Sequence, residues 1–188
     1  VLGSSVYAFS LIVTTFILGL ALGAIAFSRW CVRLSDPLKI LGILQVGIGV
    51  SALVLLPFYG KIPLWNRWGY ESLGANFGTV QGTNFGIIFL FLFIPTFIMG
   101  GQFPVVVKLI SGSLSRVGRH VGAVYAANTV GTILGSFIGG FFLIPLIGIQ
   151  KAILVAVFLN VVFGLGLLAV VPSVSLNAKV YVVPAVFI

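Results

Sequence analysis

The sequence predicts an all-α, polytopic transmembrane helical bundle, and three observations predict it. Hydrophobic residues make up 60% of the chain and charged residues only 6%, a balance that a water-soluble fold does not keep in solution. Mean hydropathy is +1.28. The apolar residues gather into runs near 6–27, 40–57, 85–107, 121–147 and 151–171, each near the length, about 20 residues, that a helix needs to cross a bilayer core. In lipid the backbone must satisfy its own hydrogen bonds, so runs of this length are read as helices.

Span one passes through "FILGLALGA", where Gly19 and Gly23, one turn apart, make a shallow groove. It ends at Cys31, the single cysteine, which excludes an internal disulfide and a cysteine metal cluster and reads as a small apolar residue. Val1 is no initiator, and no basic stretch precedes the first run as a cleavable signal requires, so sequence is expected to be missing at both ends. Cations cluster between spans one and two (Arg29, Arg33, Lys39) and between spans three and four (Lys108, Arg116, Arg119). The positive-inside rule therefore makes the Arg29–Lys39 and Lys108–His120 loops cytoplasmic and the segment 58–84 outside. The net charge of +8 follows from juxtamembrane lysine and arginine meeting anionic headgroups, and implies the lipid bilayer rather than nucleic acid as partner.

The outside segment, "PFYGKIPLWNRWGYESLGANFGTVQGTNF", places Trp65 and Trp68 three apart, on one face of a short helix lying along the headgroups. Its downstream half, Gly74 to Gly86, is rich in glycine and expected to be irregular. Span three then carries "IPTFIMGGQFPVVVKLI". Pro95 and Pro104 each remove a backbone donor, and Gly100 and Gly101 lie between them, so this helix is expected to kink or open. It then either exposes backbone groups to a ligand or is a packing kink in which Gln102 bonds a freed carbonyl.

Span four, "GAVYAANTVGTILGSFIGGFFLIPLIG", repeats Gly131, Gly135 and Gly139 every four residues, forming a groove where another backbone can approach. Asn128, Thr132 and Ser136 form a second row at the same spacing, displaced by about 60° at 100° per residue. Polar groups facing lipid would go unsatisfied, so this face, with Tyr125 one turn above Asn128, must meet protein. Helix four is accordingly expected at the centre of the bundle, with its densest packing, or at a subunit interface with a protein partner or a second copy. Gly19 and Gly23 are expected to provide the matching groove. Span five carries Asn160, and residues 173–188 read as a cytoplasmic turn and the start of a further span, Val180–Ile188 being too short to cross.

"LGSSVYAFSL", "FILGLALGA", "MGGQFPVVVKL" and above all "VGAVYAANTVGTILGSFIGGFFLIPLIGIQ" resemble the membrane domain of the fused spermidine synthase-like proteins. In that family a helical region related to half of a major-facilitator fold precedes a soluble aminopropyltransferase-like domain. The resemblance covers about residues 2–170 and is most specific from Gly122 to Gln150. It implies a bacterial or archaeal inner-membrane protein and a link to polyamines. It also implies a helix before Val1 and a synthase domain, neither of which these residues contain.

The chemistry available is narrow. Asp36 and Glu71 are the two acids and neither lies in a predicted span; His120 is the single histidine and reads as a surface residue among arginines. Without a nucleophile set, a metal cluster or a cofactor loop, no catalytic residue, metal or cofactor is expected. Moving a polyamine would require carboxylates or an aromatic box, and proton coupling a titratable group at depth, and neither is offered. A neutral or anionic ligand is conceivable around Tyr125, Gln102, Asn128 and the opened backbone at Gly100, Gly101 and Pro104, completed by Asn160 or Gln45. The favoured expectation is a non-catalytic membrane scaffold or accessory subunit that packs through small-residue faces. The alternative is a transporter-like half-bundle.

Overall fold

The computed structural model describes residues 6–31, 36–74, 76–110 and 117–170, and every one of them except Asp36, Gly74, Asn76 and Gly148 is helical. The order is α1 (Val6–Cys31), α2 (Pro37–Leu55), a 3-10 helix (Leu56–Lys61), α3 (Ile62–Leu73), α4 (Phe77–Ile110), α5 (Val117–Ile138), a π turn (Gly139–Leu143), α6 (Ile144–Ile147) and α7 (Ile149–Val170). Five helical stretches are long and apolar enough to cross a membrane: α1, α2 with its continuation, α4, α5 continuing through α6, and α7. The protein is an all-α helical bundle. Arg33, Arg116 and the segment 173–188 with Lys179 lie outside the described residues.

Local chemistry sets the helix ends. Asp36 caps α2, its carboxylate accepting the Lys39 N–H at 3.4 Å, and Pro37 occupies the first turn where a missing donor costs nothing. The Lys108 ammonium donates to the Cys31 carbonyl, satisfying a C-terminal group of α1. Asn76 and Thr79 cap α4 reciprocally: the Thr79 N–H donates to Asn76 Oδ1 at 3.0 Å and the Asn76 N–H to Thr79 Oγ1 at 3.2 Å.

That cap corrects the expected loop. Helix resumes at Phe77, so most of Gly74–Gly86 is regular, and the segment 58–84 is a 3-10 turn, an amphipathic helix and the first turns of α4. Gly69 lets α3 lie close against α4, since a Cβ there would sit 2.5 Å from Thr83 Cγ2. Trp65 turns inward to pack on Phe91, ring centroids 5.9 Å apart, while Trp68 is 70% exposed.

Span three does not open into irregular backbone. α4 is helical without a break across Pro95 and Pro104. The Thr96 hydroxyl donates to the Leu92 carbonyl at 2.6 Å, within the turn that Pro95 interrupts, and the following glycines are clamped against α1. The irregular turn lies in span four instead. There the Ile144 N–H bonds the Gly139 carbonyl, widening the helix just before Pro145, whose ring would otherwise strike the carbonyl four residues back.

Two tightly packed pairs build the bundle. α1 lies along α4 in its most extensive contact. A Cβ on Gly23 would sit 2.0 Å from the Phe97 carbonyl oxygen, and one on Gly100 2.2 Å from that of Leu20. α2 lies along α7 in the same manner, a Cβ on Gly164 falling 2.8 Å from the Gly42 carbonyl oxygen. α2 and α4 join the pairs, and a core at one end gathers Leu38, Leu41, Val105, Val106, Val124 and Leu167 around the Cys31 side. Close backbone approach is what small residues permit where lipid offers no hydrophobic drive between helices.

Helix four does not have the expected central place. From Gly118 through Ile147 only Val124 is buried, and a Cβ on Gly135 or Gly139 would meet nothing within 4 Å. The groove of Gly19 and Gly23 is filled by Thr96, Phe97 and Gly100 of α4 rather than by α5. The cause is competition between alike motifs: α4 has its own glycine pair, and once α1 sits there α5 has no groove left to enter.

Candidate functional site

Polar residues from four helices converge on a cavity of about 550 Å³ between α2, α4, α5 and α7. Each helix offers one stripe at helical spacing. On α2 it is Gln45 with Ile48, Gly49 and Ala52; on α4, Pro95, Met99 and Gln102. On α5 it is Asn128, Gly131 and Thr132; on α7, Ile153, Ala156, Val157 and Asn160.

Gln102 Nε2 donates to Gln45 Oε1 at 2.6 Å, a bond across the α2–α4 seam. Thus Gln102 bonds a side chain on another helix, not the freed carbonyl expected of it. The Thr132 hydroxyl donates to the Asn128 carbonyl at 2.8 Å, and Asn160 Nδ2 to the Ala156 carbonyl at 2.8 Å. Each side-chain amide carries both a donor and an acceptor, so the residues lining the cavity bring both kinds of group to it. Among the described residues no acidic, basic or aromatic side chain lines the space. The cavity can therefore exchange neutral hydrogen bonds with an occupant, and offers it neither a counter-charge nor a group that transfers a proton.

Of the residues expected around a ligand, Gln102, Asn128, Asn160 and Gln45 line this cavity, whereas Tyr125, Gly100, Gly101 and Pro104 do not. Tyr125 is 59% exposed and sets its ring edge-on to Phe103 at 4.8 Å. Gly100 and Gly101 pack on α1, Gly101 against Phe27. Pro104 is half-buried and away from the lining. Of the expected interface residues, Asn128, Gly131 and Thr132 face the cavity, Gly19 and Gly23 face α4, and Ser136 is exposed. His120, expected at the surface, is half-buried, with Nδ1 sealed from solvent and without a partner among the described residues.

The sequence reading missed a second polar cluster. The Tyr70 hydroxyl lies 3.4 Å from both Asn66 Oδ1 and Asn84 Oδ1, with Asn66 and Asn84 buried between α3 and α4. Its signal was the i, i+4 pair Asn66 and Tyr70 on the short helix expected to carry Trp65 and Trp68. Among the described residues no group of three histidine, cysteine or acidic side chains could hold a metal. No family model matches the chain, and no curated protein or solved structure matches it.

Proposed function

We propose that this protein is a non-catalytic membrane subunit that holds a transmembrane helix of a partner, or of a second copy, against α5. One observation carries the reading: from Gly118 to Ile147 the chain buries a single side chain, while Gly135 and Gly139 front empty space beside exposed Ser136. Elsewhere in this bundle paired glycines are spent on close helix contact, at Gly23 with Gly100 and at Gly42 with Gly164. The same residue pattern without a neighbour on α5 fits a contact completed by another helix.

The resemblance of Gly122–Gln150 to the membrane domain of fused spermidine synthase-like proteins supports the same reading, with a catalytic domain among the candidate partners. In this proposal the membrane is a bacterial or archaeal inner membrane, and the Arg29–Lys39 and Lys108–His120 loops are cytoplasmic. A transporter-like half-bundle is the second reading, favoured by the cavity among α2, α4, α5 and α7.

A photo-crosslinking amino acid at Ser136, with a control at Phe158 on α7, tests the proposal in native membranes. Irradiation is expected to give a discrete adduct from Ser136, mapped by peptide mass to a transmembrane segment, and none from Phe158. Adducts to lipid alone, or equal protein adducts from both sites, would overturn it.

A further inference from the structure

We infer that the cavity between α2, α4, α5 and α7 is a binding site for an uncharged small molecule carrying both hydrogen-bond donors and acceptors, such as an amide or a polyol. This inference stands on the cavity's lining and goes beyond the assembly reading.

Three properties of the lining select that class. The volume of about 550 Å³ falls within the range of small-molecule sites, roughly 300–1,000 Å³. Its polar groups are amides and one hydroxyl: Gln45, Gln102, Asn128, Asn160 and Thr132. Because carbonyl oxygens and NH₂ groups are presented together, the best complement is a molecule with both kinds of group.

Charge supplies the third selection. An ion here would lose hydration and gain no opposite charge, since among the described residues no Asp, Glu, Lys, Arg or His lines the cavity. A polyamine would also find no aromatic face among the lining residues. A purely apolar occupant would leave several amide groups unpaired in a low-dielectric setting, which disfavours it equally. The Gln45–Gln102 bond holds two of these amides in fixed register before any ligand arrives, lowering the ordering cost of binding. The apolar walls from Ile48, Met99, Ile153 and Val157 then suit the carbon skeleton of the same molecule.

The test uses the full-length protein in native-lipid discs, with Cys31→Ser and Ala52→Cys placing one reporter thiol on the cavity wall. Labelling by a water-soluble maleimide is followed with N-acetylglycinamide, inositol, spermidine or succinate. At least one neutral probe is expected to slow labelling saturably, about tenfold at ten times its dissociation constant, while spermidine and succinate do not. Asn160→Leu is expected to abolish the protection; Gln102→Leu serves if that variant does not fold. Protection by spermidine or succinate, by neither neutral probe, or unchanged by both substitutions would overturn the inference.

Discussion

Gln45 and Gln102 meet across two helices at 2.6 Å, with Gln45 buried. Replacing one partner leaves the other amide without its bond where water is scarce; replacing both removes the demand altogether. Gln45→Leu and Gln102→Leu are each expected to destabilise by about 1 kcal/mol. The double variant should cost less than their sum, by a coupling of about 0.6–1.7 kcal/mol, the span for hydrogen bonds between membrane helices. Unfolding in mixed micelles, run as a double-mutant cycle, measures it, and additive effects would deny the bond any energetic role. Both glutamines were legible as polar residues in apolar spans. Their pairing was not, because register between distant helices follows from how the α1–α4 and α2–α7 seams close.

At the scale of elements, glycines that look alike in sequence have different duties. Gly148 takes φ +80° between α6 and α7, a left-handed conformation that costs other L-residues roughly 1–2 kcal/mol. Gly166 lies inside α7 with nothing within 4 Å of its would-be Cβ, where alanine gains about 0.5–1 kcal/mol of helix preference. Gly148→Ala should therefore lower the unfolding midpoint and Gly166→Ala should raise it; a shift of the same sign for both would contradict this assignment. The five apolar spans could be read directly, since long apolar runs are local signals, whereas the Asp36–Pro37 start of α2 went unread. The first turns of α4 and the extent of α3 could not be read, although a short helix carrying Trp65 and Trp68 was expected. Their composition is that of turns, and the Gly69 contact with Thr83 that holds them exists only once the helices pack.

At the scale of the whole molecule, two glycine-seamed pairs pack closely, and α5 joins them with Val124 as its single buried side chain among the described residues. The in-phase glycines and the amides marked the right residues but not the right neighbours: Gly19 and Gly23 belong to the α1–α4 seam, whereas Asn128, Gly131 and Thr132 open onto the cavity. Sequence period identifies a face, and only competition among all faces decides what it touches. This contrast gives an opposed pair of expectations. Gly23→Leu drives a side chain into the Phe97 backbone, where even a Cβ would lie at 2.0 Å, and should destabilise the purified protein by about 1–3 kcal/mol or more. Gly135→Leu adds its side chain to empty space and removes a helix-weakening glycine, so it should leave stability unchanged or raise it by up to about 1 kcal/mol. In native membranes the order should reverse in kind, since a leucine at Gly135 blocks the proposed partner's approach and should abolish the Ser136 adduct. If Gly135→Leu instead unfolds the isolated protein as strongly as Gly23→Leu, α5 belongs to the core of a single chain and the assembly proposal fails with it.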